Sequence, residues 1–327
     1  MNNADRASRS RWISRHRSSL LSAVTVIAYI GFIEWLIGWE SLLWQWRTLG
    51  FLSTVVAVAL MLMSYLLRTW RVYDYFQKET AGNFAILFRI IQVHNILNIM
   101  LPFRAGEISF PALMKAEFGI SFARATSALL VMRLLDLHGL LVAGTLGLVI
   151  EHGLFPVAWF AWILFLLLPA AGYASKTRIF RLIAALPPSR LRMLAAEFES
   201  GLPANAYLFV RAWIVTLVNW LTKVAMLATV LGFLGVEPLA AAFGGALGGE
   251  FSSVLPIHAP GGVGTYPAAI TVGALAFGAA EMPGPRESLS RASVNLHVLI
   301  IFAALVAVGV SLLVERAWNL LRSLQSE

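Results

Sequence analysis

Apolar residues fill this chain in long blocks, at residues 20–37, 49–67, 126–150, 155–173, 207–234 and 292–314. Each block is close to the roughly 20 helical residues that cross a hydrocarbon core, so the pattern predicts six membrane-crossing helices. Trp39, Trp44 and Trp46 lie between the first two blocks, and Trp70, Tyr73 and Tyr75 follow the second. Amphipathic rings at such positions suit the two membrane interfaces. Glu151-His152-Gly153 joins the third and fourth blocks tightly. Arg6, Arg9, Arg11, Arg15 and Arg17 precede the first block and no small-residue cleavage site follows it, so a retained signal anchor is expected there.

Two regions break the apolar pattern in the same way. Leu101-Pro102-Phe103-Arg104-Ala105-Gly106-Glu107 and Leu255-Pro256-Ile257-His258-Ala259-Pro260-Gly261-Gly262-Val263-Gly264 both open with Leu-Pro-apolar-basic-Ala. Arg124-Ala125 follows the first and Arg291-Ala292 the second, each leading into a long apolar run. Paired Pro/Gly breaks in corresponding positions of two halves are a sequence pointer to a transporter binding site.

Composition agrees with the pattern. Hydrophobic residues make up 59% of the 327, charged residues 13%, and the mean hydropathy is +0.76. A soluble domain carries roughly 25% charged residues. With no cysteine, a disulfide framework, a thiolate metal site and a thiol nucleophile are excluded. The net charge of +8 is compatible with anionic lipid, but the basic residues lie mainly in short connections, which makes them a topology signal rather than a nucleic-acid surface.

Basic connections stay cytoplasmic. With the N-terminus inside, the groups at residues 1–17, 68–78, 104–124, 176–211 and 316–322 fall on the cytoplasmic side, only Arg47, Arg286 and Arg291 fall opposite, and Arg89, Arg133 and Lys223 sit within apolar segments. Residues 83–120 then begin and end inside, and residues 238–285 begin and end outside. Each is expected to enter the membrane and turn back, meeting the other near the middle; two ordinary short crossing helices over residues 243–280 are the alternative. The expected fold is an all-α polytopic membrane protein with about six transmembrane helices plus two re-entrant or broken helical hairpins related as an inverted pseudo-repeat. Its domains are a basic tail at 1–19, one membrane domain at 20–318 with an amphipathic cytoplasmic linker at 174–204, and a tail at 319–327.

Charge inside an apolar segment is costly and marks a cavity or a partner. Arg133 and Asp136 share a helix face at a spacing of three, as do Arg104 and Glu107. The first pair reads either as a structural tie or as part of a polar path; the second, beside a break, places a planar guanidinium where it could grip a phosphate in bidentate fashion. Lys223 is a candidate charge partner for Glu250 or Asp136, or snorkels to an interface. Gly244-Gly245-Ala246-Leu247-Gly248-Gly249 reads as a close-packing run. Gly261, Gly262 and Gly264 follow Pro260 and precede an apolar stretch, so their amides could form a helix-terminus anion site. His258, Asn295 and His297 are further candidates for the groove.

At these residues the chain resembles the transmembrane-region family of lysylphosphatidylglycerol synthases, in particular the flippase half of multiple peptide resistance factors. The likeness rests on Asn98, Leu101 to Glu107, the Arg133-Leu134-Leu135-Asp136 run, Pro260-Gly261-Gly262-Val263-Gly264 and Ala292-Ser293-Val294-Asn295-Leu296-His297. It implies a stand-alone bacterial inner-membrane domain, with both termini cytoplasmic, that moves an anionic or aminoacylated phospholipid or a polyprenyl-linked lipid. The implied groove contains Asn98, Arg104, Gly106, Glu107, Arg133, Asp136, Glu250, His258, Gly261, Gly262, Gly264, Tyr266, Asn295 and His297. Pro267 stands where the family commonly has an acid, and the synthases' aminoacyl-transferase domain has no counterpart here. No cofactor, metal or nucleic acid is expected, and no catalytic residue. A homo-oligomer or a soluble lipid-modifying enzyme is the expected protein partner. The alternatives are an intramembrane enzyme acting on a lipid carrier and a non-transporting partner of such a soluble enzyme.

Overall fold

The computed structural model describes residues 38–152, 156–184, 189–254, 259–279 and 286–325, with a few isolated positions before them. The expected first crossing, residues 20–37, lies almost wholly outside the described residues. So do Leu255 to His258, and the side chain of Arg104. Among the described residues every regular element is helical.

Helix α1 (Trp39–Leu49) leads through Gly50 into α2 (Phe51–Tyr75), followed by the single turn α3 (Gln77–Thr80). The first interrupted region is α4 (Phe84–Met100), a 3-10 segment at Pro102–Ile108, and α5 (Ser109–Phe118). Pro102 causes the break, because it has no N–H for the helical ladder and excludes helical backbone at the residue before it; Leu101 is accordingly extended. Then come α6 (Phe122–His152), α7 (Pro156–Ala174), the amphipathic α8 (Lys176–Ala184) and α9 (Ser189–Ser200), and α10 (Ala206–Phe233). The second interrupted region is α11 (Leu239–Val254), a 3-10 turn at Pro260–Gly262 and α12 (Thr265–Ala276), before the 40-residue α13 (Arg286–Gln325).

Among the described residues, five helices are long and apolar enough to cross a membrane: Phe51–Tyr75, Phe122–Ile150, Pro156–Ala174, Ala206–Phe233 and Leu289–Leu324. They match the second to sixth blocks of the sequence, extended by a turn or more at several ends. The chain is a polytopic helical membrane protein. Helix α7 has no fully buried residue; it is peripheral, packing one side on α6 and α10 through Leu166, Ala170 and Tyr173.

At 1.5 Å per residue, the hairpin helices α4, α5, α11 and α12 are only about 26, 15, 24 and 18 Å long. All fall short of the roughly 30 Å core. Their 3-10 turns touch each other, and the second turn also packs on α4.

Two of the apolar clusters among the described residues hold the hairpins. The larger gathers Trp220, Leu227 and Leu231 of α10 with Ala246, Ile270, Leu296 and Ala303, and so binds the second hairpin to α2, α10 and α13. The smaller surrounds the first hairpin with Phe76, Leu87, Ile90, Phe110, Met114 and Met132. Helix α4 packs along α13, tied by an Arg89–Glu315 ion pair. Where α3 meets α6, partial burial works against the Glu79 carboxylate, yet the Arg124 guanidinium holds its pKa below the ordinary value.

Candidate functional site

A polar cleft opens where α2, α4, α6, α10, α11 and α13 converge. Its larger cavity, with about 690 Å³ of unfilled space including the open mouth, is bordered by Arg68, Asn98, Arg133, Lys223, Glu250 and His297. A second cavity of about 500 Å³ adjoins it, and the two share Tyr65, Arg68, Asn95 and Arg133 as walls. Polar groups thus cluster at the point where both interrupted hairpins touch the helical body.

Three ion pairs frame the cleft. Arg71 donates to both carboxylate oxygens of buried Asp136, at 2.7 and 3.2 Å, and to Thr216 at 2.6 Å. The indole N–H of Trp220 donates to the same Asp136 at 3.0 Å. Asp136 is therefore saturated by partners from α2 and α10, and its sequence neighbour Arg133 approaches only to 3.7 Å. Arg133 and Asp136 do pair across one helix face, but at 3.7 Å this is the longer of the contacts that Asp136 makes to a cation. Arg133 also bridges 2.8 Å to Glu107 on the first hairpin's 3-10 segment. Asn98 donates to the same Glu107 oxygen at 3.2 Å. The reason is reach: Glu107 projects from the tip toward α6, where one guanidinium can serve a carboxylate of the hairpin.

The third pair answers the question about Lys223. Its Nζ donates to Glu250 at 2.8 Å, and the Tyr266 hydroxyl donates to the other Glu250 oxygen at 2.9 Å. Glu250 is 1% exposed and Lys223 7%, so this is a buried, hydrogen-bonded pair linking α10 to both arms of the second hairpin. His297 stacks on Tyr266, with centroids 5.3 Å apart, and closes the cleft from α13.

The glycines divide by role. A Cβ on Gly244 would lie 2.5 Å from the carbonyl oxygen of Gly273, and those on Gly248 and Gly273 closer still to the facing backbone. Helices α11 and α12 are thus in near backbone contact, and the close-packing reading of the run holds. Gly106 packs the first tip equally tightly, its Cβ position 2.5 Å from the Asn98 Cα. Gly261, Gly262 and Gly264 have φ of 68, 70 and 72°, backbone that L side chains rarely adopt. The Gly262 N–H already donates to the Ala259 carbonyl at 2.8 Å, so it is a turn closer and not an anion ligand.

Asn295 stands apart from both cavities: its side-chain oxygen accepts from Trp46 at 2.8 Å, fastening α13 to α1. His258 lies outside the described residues, as does the side chain of Arg104. Sequence reasoning missed Arg68, Arg71, Tyr65, Asn95 and Trp220. The basic group at 68–78 predicts Arg68 and Arg71 in a cytoplasmic connection, whereas both belong to α2 and border the polar interior. The usable signal is that Met61, Tyr65, Arg68 and Val72 recur at spacings of three and four, one face of a helix that does not stop at residue 67.

A cleft of paired charges thus lies where two broken helical hairpins meet inside an apolar bundle. The family model described as the lysylphosphatidylglycerol synthase TM region matches residues 19–285, and the chain belongs to that family. No curated protein and no solved structure matches it significantly.

Proposed function

We propose that the protein is a lipid translocator of the bacterial inner membrane, flippase- or scramblase-like, that carries a phospholipid or a lipid-linked anionic headgroup through the polar cleft while the acyl chains stay in the bilayer. The observation that carries this reading is the cleft itself. Arg68, Arg133, Lys223 and Glu250 converge from helices whose outer faces expose large apolar residues such as Leu60, Leu134, Leu221 and Phe302. Ionisable groups at membrane depth face the bundle interior and mark substrate paths. In this reading the two hairpins re-enter from opposite faces, because 3-10 and positive-φ backbone is tolerated at depth only where protein or a cavity satisfies it. Both termini are cytoplasmic. Reassigning Arg68 and Arg71 to the interior shrinks the cytoplasmic basic group but leaves it much larger than the opposite one.

The lipid leaves chemically unchanged in this scheme, which separates it from an enzyme acting on a lipid carrier. The test is reconstitution into vesicles containing a tail-labelled phospholipid, with dithionite reduction reporting interleaflet movement and extraction reporting lipid identity. Movement above that of protein-free vesicles with unaltered lipid is expected. No movement, or an altered lipid, overturns the proposal.

A further inference from the structure

The charges around the cleft do not cancel one for one. Arg71 is matched by Asp136, Arg133 by Glu107 and Lys223 by Glu250. Arg68 borders both cavities and has no ion pair among the described residues, and its buried Nε has no hydrogen-bond partner. Its guanidinium carbon lies 5.0 Å from the Trp220 ring centroid. The indole face holds the cation by its negative quadrupole, while the indole N–H is committed to Asp136. Arg68 is therefore held in place from one side with donors left over. Arg68 is half-buried along the walls of both cavities, and each described carboxylate of the cleft is already in direct contact with another cation, so an anionic ligand is the counter-charge still open to it.

We propose that Arg68 is the anchoring cation of a binding site for one monoanionic phosphodiester, with the Tyr65 hydroxyl and the Asn95 amide as neighbouring donors, and that this site disfavours headgroups carrying an amine. Among the described residues of the cleft one positive charge is left over, and one negative charge neutralises it. An ammonium group on the same ligand would find each of Glu107, Asp136 and Glu250 already engaged, and would have to displace Arg133, Arg71 or Lys223 to be paired. Arg suits the role because its planar fork meets two phosphate oxygens at once. The inference deepens the translocator reading and rests on it for the lipid nature of the ligand; a water-soluble phosphodiester offers the same chemistry.

The test measures binding to the purified full-length protein in detergent, apart from transport. The probes are short-chain phosphatidylglycerol, phosphatidylethanolamine, lysyl-phosphatidylglycerol and, as soluble controls, glycerophosphoglycerol and inorganic phosphate. Phosphatidylglycerol is expected to bind about tenfold or more tightly than either amine-bearing lipid, and Arg68→Gln to weaken it by about tenfold or more, the range of a lost charge-assisted contact. Arg68→Lys should fall between. Equal affinity for the amine-bearing lipids, or undiminished binding by Arg68→Gln, overturns the proposal. Should Arg68→Gln fail to fold, the wild-type lipid series and Arg68→Lys still decide. Soluble phosphodiester binding as tightly as the lipid would refute the lipid source. Selective binding without interleaflet movement would instead sink the translocator reading and leave the Arg68 site standing.

Discussion

The two hairpins reach the same place by different physics. The first has a single backbone-tight point, Gly106 against Asn98 at the tip, and is otherwise held by side chains: Glu107 takes Arg133 and Asn98, and its helices pack through ordinary apolar contacts such as Ile90, Phe110 and Met114. The second is held by backbone against backbone, with Gly244, Gly248 and Gly273 letting α11 and α12 approach until no Cβ fits between them. It is then pinned to α10 by the buried Lys223–Glu250 pair. Partly exposed polar ties can exchange partners at small cost, whereas close-packed backbone transmits any change in volume. The comparison makes the second hairpin the rigid wall of the cleft and the first the adjustable one.

The largest expected effect lies in the rigid wall. Lys223→Met leaves Glu250 buried without its counter-charge and should cost about 3–5 kcal/mol of stability, read by thermal or denaturant unfolding in detergent. The double change with Glu250→Gln should be much milder; equal losses would show that the pair is not the pin. Next comes Gly248→Ala, whose methyl meets the Ala269 carbonyl and should cost about 1–3 kcal/mol by overpacking. Gly245→Ala is the internal control, because its nearest neighbour is a Leu231 methyl at 3.1 Å that can shift; a cost matching that of Gly248→Ala would break the backbone-contact account.

Gly262→Val tests the turn. A β-branched residue at φ 70° costs about 1–3 kcal/mol of strain, and it should abolish interleaflet transport while the protein still inserts and remains monodisperse. The smallest stability effect belongs to the adjustable wall. Glu107, about a quarter exposed, should lose about 1 kcal/mol or less as Glu107→Gln, yet transport should change more than stability does. A large drop in melting temperature with normal transport would reverse the assignment of the two walls.

The fold class and the two breaks were legible in the residues alone. A 20-residue apolar block needs no partner to declare itself, because the bilayer imposes the requirement, and Leu-Pro followed by glycine interrupts a helix through local sterics wherever it occurs. Glu250, Lys223, Glu107, Arg133 and Asp136 were also visible, since a charge within an apolar block stands out by composition. Which carboxylate meets which cation was not. Arg133 and Asp136 are neighbours on one helix, yet Asp136 binds Arg71, 65 positions away, because helix packing rather than sequence spacing sets distances between elements. Arg68 was hidden for the opposite reason: near the end of an apolar block it looks like a topology signal, and only the length of α2 and the placement of Trp220 bring it into the cleft. The sequence by itself thus determined the membrane, the crossings and the interruptions, which depend on local hydropathy and backbone stereochemistry. The pairing of charges, and the cation left over when they are paired, depend on through-space contact and were decided by the tertiary structure.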